Sequence, residues 1–323
     1  MAVGNVAIPN TIYPIDGIKL SATAAGVRYK DRDDLVVIEI ADSANTAVVT
    51  TKNTFCAAPV RVLREHFAKA SPRYLITNTG NANAGTGADG KRRAVDICSA
   101  LAAKAGVDVS TVLPFSTGVI GEPLNSDAVI AGLDNALANL AADNWLAAAN
   151  GIRTTDTIPK LASEKVDVDT ISYHITGMSK GSGMIRPNMA TMLGYVATDA
   201  NIAADLLQEM LSKINEQSFN RITVDGDTST NDCCVLIATG TASSEIIDSP
   251  EHPHYQPIFD ALTAVFVRLA QLIVRDGEGA TKFMTVKVTG GNTTQECCDV
   301  AYAVAHSPLV KTAFFASDAN WGR

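Results

Sequence analysis

No stretch of this 323-residue chain approaches the roughly 20 consecutive apolar residues that a membrane helix needs. Its first residues also lack the basic start and apolar run of a secretory leader. Both absences point to a soluble protein of the cytoplasm. CxxC spacing is missing as well: Cys56 and Cys98 stand alone, while Cys233-Cys234 and Cys297-Cys298 are adjacent pairs. Neighbouring strand residues face opposite ways, so an adjacent pair rarely shares one metal. All six cysteines read as reduced thiols in or near the core, and no metal site is expected. Basic clusters are scarce. Lys91-Arg92-Arg93 is the only run in a chain of net charge −8, so no phosphate-neutralising stripe for nucleic acid is present and the trio reads as a solvated helix start.

The usual catalytic signatures are absent too: no GxSxG elbow, no HExxH, no GxxxxGK[ST] loop. The histidines, His66, His174, His252, His254 and His306, carry no acid at a telling spacing, and His252 and His254 read as parts of a solvated loop. Asp225-Gly226-Asp227 has the DxD look of a calcium loop but lacks its further ligands and closing glutamate. A hydroxyl nucleophile here needs a base other than histidine, and a lysine or a free α-amino group can serve.

What is present is an ordinary globular balance, 46% hydrophobic and 19% charged, long enough for one large domain or two. Periodicity predicts a mixed α/β protein. Strands are expected at 35–40 and 46–50, as a hairpin, then at 73–77, 112–115, 166–176, 193–197, 235–239 and 282–289. Helices are expected at 59–68, 89–105, 126–149 (one or two), 202–219, 257–274 and from 300. The stretch 243–255, with its acids, prolines and histidines, resembles a linker.

Four loops set polar groups just beyond a strand. Ser116-Thr117-Gly118 suits an oxyanion hole, since glycine after a small hydroxyl residue allows close approach, though a plain turn has the same look. Arg153-Thr-Thr-Asp-Thr157 suits a helix cap or a small polar substrate. The third is Thr223-Val-Asp-Gly-Asp-Thr-Ser-Thr-Asn-Asp232, and the fourth is Asp276-Gly-Glu-Gly-Ala-Thr-Lys282, where glycines leave Glu278 accessible.

A fifth segment, Lys180-Gly-Ser-Gly-Met-Ile-Arg-Pro-Asn-Met-Ala-Thr-Met-Leu193, runs glycine-rich into a strand. Attack of the Thr191 hydroxyl on the Ala190 carbonyl, an N-to-O acyl shift, would cut the chain and free an α-amino group beside the same hydroxyl. That amine, with an ordinary pKa of about 7.7–8.0, is a better base at neutral pH than a normal lysine.

Taken together, Ser116–Gly121, Thr154–Thr157, Lys180–Met184 with Asn188–Leu193, Thr223–Asp232, Asp276–Lys282 and Ala316-Ser-Asp-Ala-Asn-Trp-Gly-Arg323 resemble the ornithine acetyltransferase (glutamate N-acetyltransferase) family, in order along most of the chain. The resemblance implies an α/β fold of stacked sheets, of the ornithine acetyltransferase and self-processing aminopeptidase type, not a Rossmann domain. It implies a precursor that cleaves itself between Ala190 and Thr191 into an α chain (1–190) and a β chain (191–323), assembling as two α and two β chains. Thr191 would carry acetyl from N-acetylornithine to glutamate, with Thr117 and Gly118 as the oxyanion hole and Thr154, Lys180, Thr191 and Glu278 contacting substrate. No cofactor is implied; acetyl-CoA is a possible further substrate, although no CoA signature is present. Family members continue past Trp-Gly-Arg, so the chain is expected to lack their C-terminal segment. Two alternatives stay open: a self-processing amidohydrolase or aminopeptidase, and an inactive truncated family member.

Overall fold

The run Leu35-Val-Val-Ile-Glu-Ile40 is buried almost throughout, the pattern of a strand covered on both faces. In the computed structural model, which describes residues 2–186 and 192–319, it is strand β2 (Leu35–Ile40). It pairs antiparallel with β1 (Ile18–Thr23) and with β4 (Tyr74–Asn81), and β5 (Val112–Val119) adds parallel to β4. A second sheet runs in the order β3 (Asn45–Thr50), β9 (Cys233–Ala238), β8 (Leu193–Thr198), β7 (Ile171–Lys180), β6 (Lys160–Val168). Only its β8–β9 pair is parallel.

The two sheets stack through one apolar cluster in which Leu20, Ile38, Leu75 and Phe115 meet Met178, Tyr195, Val235 and Ile237. Helix α1 (Ala58–Phe67) adds Val60 and Leu63 to it, and α4 (Trp145–Gly151) adds Trp145 and Ala148. On the outer face of the first sheet, α2 (Gly87–Ala105) and α3 (Ser126–Ala138) bury Ile97, Leu101 and Leu133 against Val37 and Ile76. On the other outer face, α5 (Ala204–Gln217) and α6 (Tyr255–Arg275) bury Leu211, Leu262, Phe266 and Leu269 against Ile175, Val196 and Leu236. The result is an α–β–β–α sandwich, the stacked-sheet architecture expected from the sequence. Each fully buried Leu, Ile or Phe contributes about 1.5–3 kcal/mol to holding these layers together. Cys233 and Cys234 lie on opposite faces of β9, one in each adjoining core, and burial pushes both thiols up. All six cysteines are free, and Arg92 and Arg93 sit at the start of α2 paired with Asp89.

Several expectations need correction. β2 and β3 form no hairpin: residues 41–44 carry the chain from one sheet to the other, and β3 pairs with β9. The strand expected at 166–176 is a true hairpin, β6–β7, turning where Asp169 takes φ 53°. Contrary to expectation, helix α6 is long and apolar enough to cross a membrane by length and composition, but its apolar face is the core face described above. The supposed linker is anchored through buried Ile247, which pairs with Ile202. The alternating segment 282–289 forms no strand; with no neighbour supplying a ladder among the described residues, its side chains are mostly exposed. Helices α7 (Thr294–Ala305) and α8 (Pro308–Phe315) follow it and bury little of their own surface.

Candidate active site

The end of β5 sets Ser116, Thr117 and Gly118 against Asn78, Thr79 and Gly80 of β4 in the parallel ladder. Gly118 takes φ 134°, and a Cβ there would lie 2.3 Å from the Gly80 carbonyl carbon, so no other residue fits. The stretch is further tied by Ser116 Oγ, which donates to Asn78 Oδ1 at 2.6 Å, and by the Asn231 amide, which donates to the carbonyls of Ser116 and Ala82. Thr117 is thus held at the rim, 8% exposed.

Lys180 closes β7, directly opposite Leu193 of β8 in the antiparallel ladder. Its ammonium donates to Thr117 Oγ1 at 3.2 Å. Burial pulls Lys180 below the ordinary lysine range; Lys160 adds to the fall, while Asp156, Asp232 and Glu278 oppose it. Asp156 lies beneath. Burial works against its charge, but Lys180, Lys160 and the Gly181 N–H overcome that and hold its carboxyl well below the usual range. Asp232 goes the other way, pushed well up by burial against the opposing pull of Ser229 and Lys180, and its Oδ2 has no hydrogen-bond partner among the described residues.

The remaining loops converge here. Thr154 N–H donates to Asp156 Oδ2 at 3.0 Å, and Thr155 and Ser182 share a hydroxyl hydrogen bond of 2.7 Å. Glu278 N–H donates to the Ser182 carbonyl at 2.8 Å. Its exposed carboxylate lies so close to Gly183 that a Cβ at 183 would sit 2.7 Å from Glu278 Cδ. Asp225 is engaged with backbone: it accepts from the N–H groups of Met184, Ile185 and Asp227. That pins the chain just before Ala190 and Thr191, both of which lie outside the described residues. On their far side the Met192 carbonyl accepts from Cys233 N–H at 2.9 Å.

The structure therefore brings Thr117, Gly118, Thr154, Lys180 and Glu278 onto adjoining segments. Sequence reading missed the buried members, Lys160, Asp156 and Asp276. Asp156 and Asp276 at least stand inside singled-out motifs, whereas nothing marks Lys160, because lysine is almost never fully buried. It also misjudged two histidines. His174 Nδ1 lies 2.7 Å from Asp199, and buried His254 sits between Tyr173 and Asp169 rather than in a solvated loop. Neither makes a hydrogen bond to the described candidate residues.

The ArgJ family profile matches residues 19–323. Over all 323 residues the chain is 90% identical to the arginine biosynthesis bifunctional protein ArgJ of Psychrobacter arcticus and covers 79% of it. It is 54% identical to the protein of the same name from Pseudomonas syringae pv. tomato, again covering 79%. The solved structure of ArgJ from Bacillus halodurans superposes with a TM-score of 0.50 at 33% identity, over 55% of this chain and 92% of that one.

Proposed function

The chain belongs to the ArgJ family, and from that premise we propose that the site around Thr117, Thr154, Lys180 and Glu278 passes acetyl from N-acetylornithine to glutamate through Thr191. The protein is an acetyltransferase of arginine biosynthesis that acts on small molecules. The observation that carries the site assignment is the Lys180–Thr117 hydrogen bond. A Thr117 oxygen that accepts from an ammonium leaves its own proton free to be donated, and more acidic, which is what a developing oxyanion requires.

The sequence of steps follows from the residues. The Thr191 hydroxyl attacks the Ala190 carbonyl, its proton passing to the departing amide nitrogen; water then hydrolyses the ester, leaving an Ala190 carboxylate and a free Thr191 amine. That amine takes the hydroxyl proton as Thr191 attacks the acetyl carbonyl of N-acetylornithine, and returns it to the leaving ornithine amine. Glutamate's amine attacks the Thr191 acetyl ester, giving N-acetylglutamate and restoring the hydroxyl. Thr117 and Gly118 stabilise each oxyanion, Glu278 holds the substrate's cationic amine, and Lys180 faces a carboxylate. Acetyl-CoA as a second donor would load the same ester, its thiol leaving with the proton. An α chain ending at Ala190 and a β chain beginning at Thr191, two of each per assembly, working in the cytoplasm, complete the proposal.

Intact-mass measurement of purified protein, followed by incubation with N-acetylornithine with and without glutamate, tests it. Two fragments separated between 190 and 191 and glutamate-dependent N-acetylglutamate are expected, both lost in Thr191→Ala. An uncleaved chain after prolonged incubation, or acetate release indifferent to glutamate, would overturn it.

A further inference from the structure

Lys160 is 0% exposed, and its ammonium lies between two carboxylates, 2.5 Å from Asp156 Oδ1 and 2.7 Å from Asp276 Oδ2. Such a cluster is a poor device for stability alone, since well-packed apolar residues in the same space commonly hold a fold as firmly. Its value must lie in what it fixes. Asp156 accepts the N–H groups of Thr154 and Gly181 besides the lysine; Asp276 accepts those of Thr157 and Ile158 and the Thr157 hydroxyl.

Each tether has at least one end within two residues of a proposed substrate contact. Thr154 is tethered itself, Gly181 adjoins Lys180, and Asp276 stands two residues before Glu278. Three segments distant in sequence are thereby locked to one another by a single buried cation. We propose that Lys160, Asp156 and Asp276 are positioning residues, an ionic hub that sets the spacing of the substrate-binding groups Thr154, Lys180 and Glu278. The proposal rests on the acetyl-transfer reading for its activity readout, but not for its structural one. The hub also has an electrostatic consequence. Of its members, Asp156 helps Lys180 keep its proton and Lys160 opposes it; the titratable groups that face Lys180 are Asp156, Lys160, Asp232 and Glu278.

The experiment uses the full chain and two near-isosteric variants, Asp276→Asn and Asp156→Asn, each first shown to be folded by its thermal transition. In Asp276→Asn the KM for N-acetylornithine rises about tenfold or more, with kcat falling less, because the contacts are displaced rather than removed. Asp156→Asn adds a feature that loosened packing would not produce: the alkaline limb of kcat/KM moves to lower pH, as Lys180 loses a negative neighbour, whereas in Asp276→Asn the limb stays in place. Amide exchange supplies a readout independent of chemistry, and the N–H groups of Thr157, Gly181 and Glu278 should exchange faster together in Asp276→Asn. Kinetic constants within about twofold of wild type in a folded variant, or faster exchange confined to Thr157 and Ile158, overturn the hub. If Asp156→Asn does not fold, Asp276→Asn decides alone. A wild-type chain that transfers no acetyl would sink the functional reading instead, and the exchange result would still judge the hub.

Discussion

Lys180 and Thr117 join the two sheets at the candidate site: the ammonium at the end of β7 reaches 3.2 Å to the hydroxyl near the end of β5. Neither strand pairs with the other, so their side-chain contact, rather than any ladder, sets the proposed oxyanion group against the proposed substrate-binding face.

Replacing Thr117 by valine keeps the volume and removes the donor. Steady-state kinetics should show kcat lowered about 100-fold with KM little changed, the usual cost of one oxyanion donor. A valine variant with near-normal kcat would assign the oxyanion to other groups.

Gly118→Ala tests the backbone of the same hole. With φ at 134° and the Gly80 carbonyl carbon 2.3 Å from the added methyl, β4 and β5 have to separate. A loss of about 2 kcal/mol or more is expected in urea unfolding, with activity falling alongside. An unchanged midpoint would show that this rim is free to relax.

Gly183→Ala acts on an exposed partner. The new methyl meets the Glu278 carboxylate at 2.7 Å, and that flexible side chain swings aside at little structural cost. Thermal stability should hold, while KM for N-acetylornithine rises about tenfold, the order of one charge-assisted hydrogen bond. If Glu278→Gln leaves KM unchanged, the carboxylate does not hold the substrate amine.

Asp232 ties stability to pH. Burial raises its carboxyl well above the ordinary range, so the folded chain keeps a proton that the unfolded chain releases above about pH 4. The stability drawn from this group is therefore whole below the unfolded pKa and lost as pH rises toward the folded one. Asp232→Asn needs no proton and should melt higher than wild type at about pH 7–8, the gap closing near pH 3. A lower melting temperature for the variant at neutral pH would show instead that Asp232 is ionised and paired with Lys180.

The layers were legible because their signals are local: the 3.6-residue spacing of α1, α2 and α5, and the apolar run of β2. Pairing was not. Residues 41–44 lack the two-residue Asn-Gly type of turn that would fix a hairpin, so nothing local distinguishes a return within one sheet from a crossing to the other. Positions 282–289 carry an alternating pattern, but a strand is made by its neighbour as much as by its own side chains. At the site, glycines beside hydroxyls and acids marked the stretches that hold Thr117 and Glu278, and the family resemblance marked Lys180. Lys160 left no mark, since its burial depends on Asp276, 116 residues further on.

The antiparallel ladder between β7 and β8, from Ile175↔Thr198 to Lys180↔Leu193, bears on the molecularity of folding. A break of the bond before Thr191 removes none of those rungs, nor any rung between β8 and β9. The cut protein would stay assembled while folded, yet once melted its two pieces would have to find each other by diffusion. Refolding would then slow on dilution, whereas the uncut chain would refold at a rate indifferent to concentration. Breaking one peptide bond would thus make recovery from unfolding depend on concentration while leaving both ladders of the folded state intact.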